Sequence, residues 1–115
     1  FPQGMAVSLP IHFDWFKRKI KGKEIFDLFS DYYNSDTLIS VNDLNSKSQL
    51  NDQGFLSPEV LIGTNNIDIS IFSNEKLGQL WLIARLDNLG KGASGAAVQN
   101  MNIRFGFDEN LGVCL

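Results

Sequence analysis

A short and almost unbroken apolar run, Leu80–Leu86, places the strongest limit on how this chain can fold. A strand that is covered on both faces has this pattern, so we expect the run to be the central strand of a sheet. Before it, Ile67, Ile69 and Ile71 alternate with polar residues, which predicts a second strand. Residues 73–78 are polar and end in glycine, as expected for a hairpin connection between the two strands.

Alternation also marks the N-terminal segment, where every second residue from Met5 to Phe13 is apolar. This pattern predicts a strand with one face towards the core. Pro10 has no N–H to donate, so we expect this strand at a sheet edge or interrupted by a bulge. Residues 37–41 are rich in β-branched side chains and predict a short strand, and residues 60–62 predict another.

Two segments have helical spacing instead. The first has an apolar stripe made by Ile25, Phe26, Phe29, Tyr32 and Tyr33. The second begins after Gly95, and its stripe consists of Ala97, Val98, Met101 and Phe105. Gly106 is expected to end that helix. The order of elements predicts an α+β fold, in which a mixed, largely antiparallel sheet carries both helices on one face.

Composition excludes several classes of protein. The 115 residues suffice for one domain, and a net charge of −3 does not suit a protein that coats nucleic acid. One Cys cannot form an internal disulfide, and no apolar run reaches the roughly 18 residues of a membrane helix. We therefore expect neither nucleic acid nor membrane as a partner. The N-terminus does not look like a signal peptide, so we expect Phe1 to mark a cut made by processing, proteolysis or design.

The segment between the central strand and the second helix contains Gly90, Gly92 and Gly95 in the spacing G-x-G-x-x-G. Glycines permit tight turns and close approach to a ligand, and N–H groups at a helix start favour an anion. Lys91 would add a positive charge. A dinucleotide-binding Rossmann unit is not expected, because only nine residues follow Gly106 and a second parallel strand needs more. The alternative is a glycine-rich turn with a purely structural role.

The longer string, residues 87–102, resembles the C-terminal signature of the N-acetyl-gamma-glutamyl-phosphate reductases, D-N-L-x-K-G-A-[AS]-G-x-A-V-Q-N-M-N. Residues 87–89, 91–95 and 97–102 match it, whereas Ala96 stands where many members have Gln. Gly4–Val7 resembles the strand after the family's catalytic His segment. Residues 63–65 with 68–69 resemble a loop and strand that precede the signature. Together these matches cover nearly the whole chain.

The resemblance implies that residues 1–115 are the C-terminal part of a catalytic and oligomerisation domain, of the type found in glyceraldehyde-phosphate and semialdehyde dehydrogenases. The family's NADP-binding Rossmann domain would lie outside this chain and would make most contacts to NADPH. Family members reduce N-acetyl-L-glutamyl 5-phosphate to the semialdehyde, through a Cys thioester, in arginine biosynthesis. Neither the nucleophilic Cys motif nor the catalytic His segment occurs here, so we expect no catalytic residue and no activity from this piece alone.

The resemblance also implies cofactor contacts. An Asn in this position of the wider superfamily approaches the nicotinamide carboxamide, and Asn88 resembles it. The residues expected to contact NADPH are Asn88, Lys91, Gly92, Ala93 and Gly95. We expect no metal site, a cytoplasmic location and a homo-oligomer, either dimer or tetramer.

Two isolated residues invite functional interpretations. Cys114 could be a nucleophile, but a penultimate residue has little structure to lower the pKa of a thiol. His12 could be a general base, but it lies on the polar side of its strand. Three other interpretations of the chain remain: a non-enzymatic phosphate- or nucleotide-binding module, a dimerisation module, and a fragment of aspartate-semialdehyde dehydrogenase.

Overall fold

The computed structural model describes residues 2–115. Its strands and helices are, in chain order, β1 (Met5–His12), α1 (Gly22–Tyr33), β2 (Ile39–Val41), β3 (Ile67–Asn74), β4 (Gln79–Leu86) and α2 (Gly95–Phe105). A short 3-10 turn follows β1, and a π-helical turn, Gly90–Ser94, precedes α2. The order of elements is the predicted one, except that residues 60–62 form a turn and not a strand.

The four strands form one mixed sheet in the order β1-β4-β3-β2. β4 pairs antiparallel with both β1 and β3, whereas β2 pairs parallel with β3. The register places Ile69 opposite Ala84, and Ala84 opposite Val7. The apolar run Leu80–Leu86 therefore lies in a central strand, as predicted.

Pro10 lies on an edge strand, also as predicted. The N–H of Phe13 donates to the carbonyl of Gly78 at 2.8 Å, continuing the pairing of β1 with β4. Because hydrogen-bonding groups alternate in direction along a strand, the odd-numbered residues of β1 point their backbone groups at β4. The backbone nitrogen of Pro10 accordingly faces the free edge, where the missing donor costs the sheet no hydrogen bond.

The core lies between the sheet and α1. Ile69, Ile71 and Leu80 are buried, and α1 packs its apolar side chains against them. The α1 side chains in this cluster are Ile25, Phe26, Phe29 and Tyr33. Tyr32 was predicted in the same stripe, but it is 77% exposed. Each Å² of apolar surface that is buried contributes about 25 cal/mol to the stability of the fold, so this layer is its main source.

The other face of the sheet carries a buried ion pair. Arg85 is 1% exposed, and its guanidinium pairs with Asp68 on the neighbouring strand. The same guanidinium donates to Oε1 of Gln49 at 2.7 Å and to the carbonyl of Ser57 at 3.0 Å. These bonds fasten the irregular segment 42–58 onto the sheet.

The predicted packing of α2 is wrong in its central feature. Met101 and Phe105 were predicted to face the core, but they are 50% and 69% exposed. The helix buries Asn102 instead, whose amide donates to the carbonyls of Glu109 and Leu111 at 3.2 and 2.8 Å. A polar side chain is favoured at position 102 because it donates hydrogen bonds to carbonyls of the C-terminal tail, which would otherwise lack these partners. Gly106 ends the helix with φ of 74°, as predicted.

Within residues 2–115, no helix combines the length and the apolar character that crossing a membrane requires.

Candidate functional site

The candidate site is the connection between β4 and α2, residues 87–95, which we call the glycine corner. It contains the π-helical turn Gly90–Ser94, which leads directly into α2 at Gly95. Gly92 N–H donates to the carbonyl of Asp87 at 2.9 Å, and Ser94 N–H donates to that of Leu89 at 3.2 Å. The glycine corner is therefore an ordered turn whose backbone groups are largely paired with one another.

Asp87 is the centre of this arrangement. Its carboxylate is 2% exposed and accepts hydrogen bonds from Gly63 N–H at 2.8 Å, Leu89 N–H at 2.9 Å and the Gln3 side chain at 3.1 Å. The Gly63 N–H, followed by that of Leu89, holds the pKa of Asp87 below its usual value, although burial opposes this shift. The carboxylate thus stays ionised at neutral pH, and its contribution to stability is lost only as the pH falls through that lowered pKa.

The position of Asp87 bears on the predicted anion site. N–H groups at the start of the turn were expected to receive an anion, but that of Leu89 donates to the Asp87 carboxylate. A phosphate brought to the same donors would meet a fixed negative charge. The Lys91 ammonium donates to Oε1 of Gln99 at 2.7 Å.

Two of the three glycines serve close packing inside the protein. A Cβ at Gly95 would overlap Oδ1 of the buried Asn65, and a Cβ at Gly90 would lie 2.9 Å from the carbonyl oxygen of Thr64. Gly92 differs, since the nearest atoms to a Cβ there would be Cδ1 of Leu86 at 3.3 Å and the carbonyl oxygen of Asp87 at 3.4 Å. Gly90 and Gly95 therefore let the loop at residues 63–65 pack directly on the glycine corner.

The glycine corner contains all five residues predicted to contact the cofactor. Gly92 and Ala93 are exposed, and Lys91 and Asn88 are half-buried. Gly95 is turned towards Asn65, away from Gly92 and Ala93. Asn88 contributes its Oδ1 as the acceptor for Gly4 N–H at 2.7 Å. This bond fixes the amide plane and leaves Nδ2, a donor, on its other side.

A cleft of about 230 Å³ adjoins the glycine corner, and its walls include Gly63, Asp87, Ser94 and Cys114. The C-terminal tail reaches this cleft because Asn65 N–H donates to the carbonyl of Cys114 at 2.7 Å. The Cys114 side chain is exposed.

Cys114 and His12 do not form a catalytic pair. His12 lies opposite Gln79, at the far end of β4 from the glycine corner and from the Cys114 tail. Eight residues of strand separate the two ends by roughly 25 Å. His12 instead lies beside Trp15, with ring centroids 5.3 Å apart. Across residues 2–115, no three His, Cys, Asp or Glu side chains are grouped closely enough to hold a metal ion.

Sequence reasoning missed the contact between the N-terminal segment and the glycine corner. Gln3 and Gly4 bond to Asp87 and Asn88, which are 84 residues away along the chain. The available signal was indirect: both segments flank strands, and antiparallel pairing of β1 with β4 brings Met5 opposite Leu86. With this pairing, the residues before β1 necessarily meet those after β4.

Comparison with known proteins assigns the chain to a family, although no family profile matches it. It is 41% identical over 113 residues to N-acetyl-gamma-glutamyl-phosphate reductase of Trichormus variabilis, covering 98% of this chain and 35% of the relative. Over the same shares it is 41% identical to N-acetyl-gamma-glutamyl-phosphate reductase 2 of a Nostoc species. The reductase of Brucella anthropi is 36% identical over 106 residues, 92% of this chain and 33% of the relative.

The chain therefore spans about a third of the length of the curated relatives that it matches. The match lies in their C-terminal part and includes the glycine corner. The chain belongs to the N-acetyl-gamma-glutamyl-phosphate reductase family, as the counterpart of the C-terminal part of its members.

Proposed function

We propose that this chain is the C-terminal part of an N-acetyl-gamma-glutamyl-phosphate reductase. The complete enzyme reduces N-acetyl-L-glutamyl 5-phosphate to N-acetyl-L-glutamate 5-semialdehyde, through a thioester on a Cys outside this chain. The observation that carries the proposal is similarity to proteins named as this reductase along 98% of the chain. The same names favour this enzyme over aspartate-semialdehyde dehydrogenase.

The glycine corner suits the nicotinamide end of NADPH better than its phosphates. NADPH, bound mainly by a separate Rossmann domain, supplies the hydride of the reaction. The Asp87 carboxylate disfavours a phosphate at the turn, whereas the Asn88 amide offers a donor held in one orientation by Gly4. Gly92 and Ala93 are exposed beside it. This arrangement favours the reductase over a free-standing phosphate- or nucleotide-binding module.

The remaining parts of the proposal concern the intact protein. It acts on an acyl phosphate with NADPH in arginine biosynthesis, in the cytoplasm, and it assembles as a dimer or tetramer. This chain supplies part of a catalytic and oligomerisation domain of the semialdehyde dehydrogenase type.

The activity itself is tested with the full-length protein. We expect it to catalyse phosphate-dependent oxidation of N-acetylglutamate semialdehyde with NADP⁺, followed as NADPH absorbance, which is the reverse of the proposed reaction. The 115-residue chain alone should show no turnover because it contains no catalytic residue. Turnover by the isolated chain would contradict the proposal, as would a full-length protein that accepts aspartate semialdehyde but not the N-acetylglutamate compound.

The proposed role of Asn88 leads to a sharper prediction in the full-length enzyme. Asn88→Asp keeps an oxygen for Gly4 N–H and loses the donor, whereas Asn88→Ala loses both. Because one hydrogen bond is worth about 0.5–1.5 kcal/mol, both variants should raise the KM for NADPH roughly three- to tenfold. The KM for the acyl phosphate should stay constant. Asn88→Ala should also lower the melting temperature, because Gly4 N–H loses its acceptor.

Asn100→Ala serves as the control for this series, because Asn100 is an exposed asparagine on α2. It should leave both KM values unchanged. An NADPH KM that does not move in either Asn88 variant would remove Asn88 from the cofactor contacts.

A further inference from the structure

Asp87 holds the backbone on both sides of Asn88. Its Oδ1 atom accepts a hydrogen bond from Leu89 N–H at 2.9 Å, which closes a turn of side chain and backbone around Asn88. Aspartate favours such a turn because its short side chain reaches the N–H two residues further on. The carbonyl oxygen of Asp87 also accepts from Gly92 N–H, at 2.9 Å. The position of the Asn88 backbone therefore depends on Asp87.

The second oxygen of the same carboxylate binds two distant segments. Oδ2 accepts from Gly63 N–H at 2.8 Å and from Nε2 of Gln3 at 3.1 Å. These donors lie 24 and 84 residues from Asp87 along the chain. Because Asp87 is 2% exposed, water cannot readily take its place as their acceptor. One buried carboxylate thus joins the N-terminal segment, the loop at residues 63–65 and the glycine corner.

The N-terminal segment in turn fixes the side chain of Asn88. Gly4 N–H donates to Oδ1 of Asn88 at 2.7 Å. Gly4 has a φ of 103°, and a Cβ at this position would overlap the carbonyl oxygen of Pro58, so only glycine fits here. The neighbouring Gln3 is the residue that Asp87 binds. Asp87 therefore holds Asn88 twice, directly through the backbone and indirectly through the segment that bonds to its amide.

We propose that Asp87 is a positioning residue, which sets the orientation of the Asn88 amide towards NADPH. The proposal rests on the proposed contact between Asn88 and the cofactor. An ionised carboxylate suits this role because both of its oxygens accept hydrogen bonds and neither donates. Asp87→Asn would keep one acceptor and turn an NH₂ group towards the N–H of either Leu89 or Gly63, which are donors themselves. The substitution thus breaks the hydrogen bonds with almost no change in size.

A double-mutant cycle in the full-length protein tests the proposal, with NADPH binding followed by nicotinamide fluorescence. Asp87→Asn should raise the Kd for NADPH about three- to tenfold, the range expected for loss of the Asn88 contact itself. In a protein that already carries Asn88→Ala, adding Asp87→Asn should change the Kd by less than about twofold, because the group that Asp87 positions is gone. The KM for the acyl phosphate should stay constant in all of these variants.

A second measurement does not involve the cofactor. In the unliganded protein, Asp87→Asn should speed the hydrogen exchange of amides in residues 2–5 and 87–92, because these segments lose the acceptor that joins them. Amides of β3 should keep their protection. Gln3→Met keeps the side-chain length and removes one donor to Asp87, so it repeats the test without altering the buried carboxylate. It should raise the Kd for NADPH about two- to threefold, and only where Asn88 is present.

Asp52→Asn is the matched control, since Asp52 is an exposed aspartate in the irregular segment 42–58 and loses the same charge. It should alter neither the Kd nor the hydrogen exchange. The proposal is overturned if Asp87→Asn raises the Kd by the same factor with and without Asn88, or if the KM for the acyl phosphate rises in parallel. An unchanged Kd in both Asp87→Asn and Gln3→Met would also overturn it. If Asn88→Ala itself leaves the Kd unchanged, the proposed cofactor contact fails, and the role of Asp87 fails with it.

Discussion

Replacing Arg85 with Met should destabilise the fold by about 3–5 kcal/mol, because it leaves the Asp68 carboxylate buried without its counterion. Asp68 is 7% exposed, so water cannot take the place of the guanidinium. The Gln49 side chain and the Ser57 carbonyl lose their donors at the same time. Domains are typically stable by about 5–15 kcal/mol, so this one change removes a large share of the total. Urea denaturation followed by circular dichroism measures it.

The double variant R85M/D68N separates the charge from the packing. Removing both charges should leave the protein more stable than R85M alone, because no unpaired ion is then buried. Arg104→Met, at an exposed position on α2, should change stability by no more than about 0.5 kcal/mol. Equal destabilisation by R85M and by the double variant would show that the ion pair is not the source of the loss.

Gly95→Ala is expected to have the second largest effect. The added Cβ would overlap the Oδ1 atom of Asn65 and lie 3.0 Å from the backbone carbon of Gly90. Asn65 cannot easily yield, because it is 2% exposed and its backbone N–H holds the carbonyl of Cys114. Overpacking of this kind costs about 1–3 kcal/mol. Thermal unfolding of the variant should show a clear drop in melting temperature.

Gly92→Ala, in the same turn, is the matched control. Its Cβ would lie 3.3 Å from the flexible end of Leu86 and in ordinary contact with the carbonyl oxygen of Asp87 at 3.4 Å, so the melting temperature should change little. Relief of the clash by Asn65→Ala would further support the assignment, since the G95A/N65A double variant should lose less stability than the two single variants together. If Gly92→Ala proved as damaging as Gly95→Ala, the loss of stability would not be specific to the Asn65 contact.

Much of the sheet was predictable because strand periodicity is local. The apolar run of β4, the alternation of β1 and β3, and the proline at the edge each depend on a few neighbouring residues. For β1 the alternation located the strand but not its burial, because Met5, Val7 and Leu9, predicted to face the core, are 37%, 51% and 52% exposed. The pairing of β3 with β4 was also predictable from the hairpin connection between them, whereas the pairing of β1 with β4 was not predicted. Arg85 was the exception within that run, because only the cross-strand register with Asp68 reveals why a charge is buried there.

The glycine corner was located correctly from the sequence, but its internal organisation was not. Three glycines before a helix suggested an exposed anion cradle, whereas the Asp87 carboxylate accepts from Leu89 N–H and places a negative charge there. The amphipathic pattern of α2 also gave a wrong prediction of which side chains are buried. Asn102 is buried because its amide donates to carbonyls of the tail, and hydrophobic periodicity gives no sign of such hydrogen bonds. Polar bonds between a helix and the tail that follows it have no periodic signature.

The position of Pro10 has a consequence for how this molecule avoids uncontrolled polymerisation. An unprotected edge strand can recruit identical strands without end and seed fibrils. With its nitrogen on the open side, the proline interrupts the row of donors that an incoming strand would need. The apolar side chains of the same strand can then remain exposed with less risk of amyloid-like growth.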